Sequence, residues 1–133
     1  MGPSNGGKVM KIKVVLCNCR GLSSTFDSDM NTLPFALESE LDIDYTVVHP
    51  ELCGHGGREA LADILRTADK ETYVICGACD PKQQEEEFRG LLAEHHFPRE
   101  RFFPIDIRLA HNERVVDRLR TAVEAVLSAT DVP

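Results

Sequence analysis

The chain has 133 residues, 42% of them hydrophobic and 28% charged, with a formal net charge of −7. That length suits one domain, which buries about two-thirds of its unfolded surface and needs no covalent staple to fold. The acidic balance excludes nucleic acid and anionic membranes as main partners, since either wants a basic face, and no apolar run approaches the ~18 residues of a membrane span.

Residues 1–10 read as a flexible leader or an artificial remnant: Met1–Val9 is rich in glycine and lacks the apolar core of a signal peptide. A single α/β domain is expected over 11–133. Lys11–Cys17 (KIKVVLC) is short and β-branched, which predicts a strand. Met30–Leu41 predicts a helix, with Pro34 tolerable only near its first turn. Ile43–His49 predicts a second strand, closed by Pro50. Gly56–Ala68 carries Ala60, Leu61, Ile64 and Leu65 at helical spacing. Thr72–Cys76 predicts a third strand.

Asp80 and Pro81 are suited to the cap and first residue of a helix running to about His95, with Phe88, Leu91 and Leu92 on its apolar face. Arg101–Ile107 predicts a fourth strand, which Pro104 pushes to an edge of the sheet. Ala110–Ser128 predicts a long closing helix. Strands alternating with helices imply βαβ units and a parallel sheet covered on both faces. With right-handed crossovers the expected fold is a flavodoxin- or Rossmann-like three-layer sandwich, its four strands in the order 2-1-3-4.

Ligands of such sheets bind at the carboxyl ends of the strands, where the order reverses. The five cysteines all fall there. Cys17 and Cys19 end strand one, Cys53 follows strand two, Cys76 closes strand three and Cys79 opens the next helix. In extended backbone, residues i and i+2 point the same way, so Cys17 and Cys19 can share a target. Gly21, Gly54 and Gly77 lie beside the cysteines, and helix N-termini after Cys53 and Cys79 should favour thiolate over thiol. Lacking an export signal, the chain is expected in the cytoplasm, where clustered cysteines bind metal or do redox chemistry. Four thiolates suit a [2Fe–2S] or [4Fe–4S] cluster. Cys17, Cys19, Cys53 and Cys79 are the candidate ligands, with His111, Cys76 and His55 as further candidates.

Each candidate also has a plain structural reading. Cys76, between Val74, Ile75 and Gly77, suits the core, and Cys17 alone could be read the same way. Zinc is the rival metal, although Cys76–Cys79 is the only C-x₂-C pair. The same pair could be a redox dithiol. His49 reads as structural, His95 and His96 as a solvated helix end, Glu85–Glu87 as a solvated helix start. Gly54-His55-Gly56-Gly57 lacks both the dinucleotide fingerprint and a Walker lysine, so neither nucleotide nor flavin is expected on this chain.

The pattern resembles the N-terminal iron–sulfur domain of the A subunit of heterodisulfide reductase. More distantly, it is similar to the delta-type iron–sulfur subunit of methyl-viologen-reducing hydrogenases. The matching elements are Val14-Val15-Leu16-Cys17-Asn18-Cys19-Arg20-Gly21, Cys53-Gly54-His55-Gly56-Gly57, Cys79-Asp80-Pro81 with Glu85-Glu86-Glu87-Phe88-Arg89, and in part Ile107-Arg108. They span Lys11 to the last helix. The resemblance implies a non-catalytic electron-transfer subunit or domain of an oxidoreductase complex, partnered by a flavoprotein or hydrogenase subunit. It departs from the family where Leu109 replaces an acidic residue and His111 stands near a further family cysteine, which makes His111 a substitute ligand. Cys76 has no counterpart.

Overall fold

The computed structural model describes residues 10–19 and 26–130. The proposed leader up to Val9, and Arg20 and Gly21 of the first cysteine turn, lie outside the described residues. In chain order the elements are β1 (Lys11–Cys17), α1 (Leu33–Glu40), β2 (Tyr45–His49), α2 (His55–Arg66), β3 (Thr72–Ala78), α3 (Pro81–Glu94), β4 (Phe102–Asp106) and α4 (Asn112–Thr130).

The four strands form one parallel sheet in the order β2-β1-β3-β4. Helices cover both faces, so the fold is the α/β three-layer sandwich that the alternation of elements implied. The side-chain period of a strand divides β1 between two cores. Ile12, Val14 and Leu16 pack with Leu33 and Leu37 of α1 and with Val115, Val116, Leu119 and Val123 of α4. Val15 and Cys17 face the other way, towards Leu61 and Leu65 of α2 and Phe88, Leu91 and Leu92 of α3. Leu16 and Leu119 are fully buried, each worth roughly 1.5–3 kcal/mol relative to exposure.

Several boundaries move for local reasons. Helix α1 starts at Leu33, because Pro34 must lie in its first turn and the Asp29 carbonyl already takes the amides of Thr32 and Leu33. Strand β2 begins at Tyr45, since the Asp44 carboxylate instead accepts the amide of Ile12 at 2.6 Å. Strand β3 runs past Cys76 to Ala78, with Cys76 paired to Val15 on one side and Pro104 on the other. Cys76 is therefore an interior strand residue, not the end of the strand. Among the described residues no helix is long and apolar enough to cross a membrane.

Candidate metal centre

Chain direction reverses across the sheet between β1 and β3: α1 carries the chain outwards on one face, while α2 and α3 carry it back on the other. The loops that leave the carboxyl ends of β1 and β3 diverge there and open a crevice. A small, half-enclosed pocket occupies it, lined by Cys17, Cys19, Leu52, Cys53, Ala78, Cys79, Gln83, Gln84, Glu87 and Phe88. Four of the five cysteines meet there. Cys76 does not: it is fully buried in the core against α2 and α3.

Each cysteine arrives by a different local device. Cys17 is the last residue of β1 and only 5% exposed. Its sulfur accepts the Leu52 amide at 3.4 Å and donates to the Pro50 carbonyl at 3.7 Å, which fixes it to the loop after β2. Cys19 is not extended as the i, i+2 argument required. Its φ is +52, the left-handed region, so it reaches the pocket by a turn of the chain. Cys53 is exposed, just ahead of α2, whose first turn lies so close to this loop that a Cβ on Gly57 would sit 2.0 Å from the Glu51 carbonyl oxygen. Cys79 follows β3 and precedes the Asp80–Pro81 start of α3.

Gln84 and Glu87 are pocket residues that the sequence reading missed. Gln84 is 2% exposed, and its side-chain amide donates to the carbonyls of Cys79 (2.7 Å) and Ile105 (3.2 Å), tying the Cys79 turn to β4. Both neighbours being acceptors fixes the orientation of the amide, and its Oε1 is buried with no donor. The signal was available: Gln84, Phe88, Leu91 and Leu92 follow the i, i+4, i+7, i+8 spacing of one buried face. Glu85, Glu86 and Glu87 are exposed as expected. Glu87 also accepts Arg58 on its carbonyl at 2.9 Å and its carboxylate at 3.4 Å, bridging α3 to α2.

The electrostatics contradict the expectation that helix N-termini would favour thiolates. Burial pushes the Cys19 thiol up, and the sulfurs of Cys17, Cys79 and Cys53 push it further. Cys53 is raised by burial, then by Glu87, Cys17 and Glu51. Cys79 is raised mainly by burial, against its own amide and the Arg108 guanidinium, which act the other way. Complete burial drives Cys76 far above the usual thiol range. For Cys19, Cys53 and Cys79 desolvation is the largest influence and outweighs the neighbouring backbone amides.

The donor set fits an iron–sulfur cluster in kind and number: four soft sulfurs on one half-enclosed pocket. Among the described residues no three His, Cys, Asp or Glu side chains converge closely enough to hold a single metal ion. His55 is the exposed first residue of α2 and His111 lies exposed just before α4; neither lines the pocket. His49 is structural, its Nδ1 accepting the Glu51 amide at 3.0 Å. No protein-family model and no curated protein matches this chain.

Proposed function

We propose that this chain is an electron-transfer module holding an iron–sulfur cluster through Cys17, Cys19, Cys53 and Cys79. The observation that carries the reading is the selection of cysteines: these four line one pocket and Cys76 is kept out of it. A mononuclear zinc site needs its ligands to meet at one point. A [4Fe–4S] cluster takes four thiolates, one for each iron. When bound, the cluster supplies one-electron chemistry, so no side chain need act as acid, base or nucleophile.

The protein's own contribution is to hold and tune the ligands. The Leu52 amide donates to the Cys17 sulfur and holds it in place against the loop after β2. Gln84 fixes the Cys79 turn, and the Arg58–Glu87 contact holds together the helices that follow Cys53 and Cys79. Leu52, Ala78 and Phe88 give the pocket an apolar wall. We assign the module to the cytoplasm, where five free cysteines stay reduced, and to a flavoprotein or hydrogenase-type redox partner rather than a nucleic acid.

Anaerobic incubation of the reduced chain with ferrous iron and sulfide, set against incubation with zinc alone, tests the reading. Uptake of iron and acid-labile sulfide together, with visible absorption, is expected. Tight zinc binding without any iron–sulfide uptake would overturn it in favour of a zinc module, and uptake of neither metal would leave a thiol-redox module.

A further inference from the structure

The inner face of α3 is formed by Gln84, Phe88, Leu91 and Leu92, and three of these four are apolar. Glutamine is seldom fully buried, and methionine or leucine would fill the same place with no polar atom to satisfy. Gln84 is nevertheless 2% exposed. Its backbone amide keeps the helical bond to the Asp80 carbonyl at 3.0 Å, while its side chain folds back over the first turn. Both side-chain N–H groups are engaged, one by the Cys79 carbonyl at 2.7 Å and one by the Ile105 carbonyl at 3.2 Å. Its Oε1 is buried and meets no donor among the described residues.

A buried acceptor without a donor is uncommon in native proteins and calls for a reason. Thr72 is as deeply buried, yet its hydroxyl accepts the Asp69 amide and donates to the Asp69 carboxylate. The Ser28 and Thr46 hydroxyls share the condition of Gln84, but neither residue lines the cysteine pocket. Gln84 does, together with Cys79 and the apolar side chains of Leu52, Ala78 and Phe88. Two carbonyl oxygens neutralise the positive end of its amide, and nothing described neutralises the negative end. Away from water, that partial charge is weakly screened.

We propose that Gln84 holds the reduction potential of the cluster down: its bare carbonyl oxygen, buried in the wall of the cysteine pocket, disfavours the arrival of an electron beside it. The inference rests on the electron-transfer reading of that pocket. Local charge, hydrogen bonding and solvent exposure set the potential of a cluster with a given set of ligands. With Gln84 in place, the same four cysteines make a stronger electron donor than they would without it.

Redox titration of the anaerobically reconstituted full chain, followed by visible absorption, tests this in wild type, Gln84→Met and Gln84→Glu. Measurement at about pH 9 keeps a carboxyl ionised even when burial raises it. Gln84→Met removes the oxygen and should raise the potential. Gln84→Glu, of nearly the same shape, adds negative charge and should lower it. Both variants lose the donors to Cys79 and Ile105, so a shift caused only by a loosened Cys79 turn would have the same sign in both. Opposite shifts at matched iron content support the proposal, and where one variant alone loads iron the sign of its shift decides. Equal potentials, or shifts of one sign, would overturn it and leave the cluster standing. Failure of both variants to fold or to take up iron would also overturn it, because Gln84 would then serve the structure. Wild-type protein that takes up neither iron nor sulfide would remove the cluster and this inference together.

Discussion

Five cysteines of one chain reach two different fates, four lining a pocket and one buried in the core. Cys76 points into the core between β3 and the α2–α3 layer, where burial alone makes ionisation prohibitive. Cys17, Cys19, Cys53 and Cys79 share a pocket, in which burial and then the other three sulfurs raise the cost of ionising Cys19. Alanine at any of these four is therefore expected to remove most of the iron taken up on reconstitution, and Cys76→Ala to remove none. Iron per chain, measured on matched preparations, checks this; full iron in any one of the four variants would strike that residue from the ligand set. Gly57 makes the Cys53 loop possible, because any side chain there would overlap Glu51 and Leu52 backbone atoms at 2.0–2.3 Å. Gly57→Ala should cost about 1–3 kcal/mol, as overpacking does, and lower iron uptake through displaced Cys53. Chemical denaturation beside iron analysis reads both effects.

At the scale of elements, β1 and β3 were legible as short β-branched runs buried on both faces, and α2 and α3 by the helical spacing of their apolar residues. The edges were not. Asp44 leaves the second strand to cap β1, a tertiary hydrogen bond that no local pattern announces. The backbone of Cys19 was misread because alternation assumes extended chain, and a left-handed residue at a strand end breaks it. The burial of Gln84 was hidden by the acidic run that follows it, although its spacing to Phe88 put it on the inner face. Gly90, by contrast, lies on the exposed face of α3 with open space where a Cβ would go. Gly90→Ala should stabilise the protein by about 0.5–1 kcal/mol by reducing the freedom of the unfolded chain and favouring the helix. An unchanged denaturation midpoint would show that α3 does not limit stability.

Across the whole molecule the cysteine pocket is continuous with one of the two cores, since Cys17, Leu52, Ala78 and Phe88 belong to both. At the opposite end of the sheet the start of β1 is pinned by Lys11 and Asp69 at 2.6 Å. Hydrogen bonds from Lys11, from the Glu71 amide and from Thr72 hold the Asp69 carboxyl down, from 3.8 to about 2. A carboxyl whose folded value lies below its unfolded one contributes stability that is present above about pH 4 and lost as pH falls towards 2. Asp69→Asn should thus be less stable than wild type near pH 6, and the two should converge near pH 2. Parallel curves across that range, from thermal or urea unfolding, would contradict the assignment.

A cluster held by four cysteines on the carboxyl edge and passing single electrons, as proposed, has a direct spectroscopic signature in electron paramagnetic resonance of the anaerobically reconstituted and then reduced chain. A spin-half signal of an iron–sulfur centre is expected, near one per chain, retained in Cys76→Ala and abolished in Cys79→Ala. A spectrum without such a signal from protein shown to be folded and fully reduced, or one indifferent to Cys79, would contradict it.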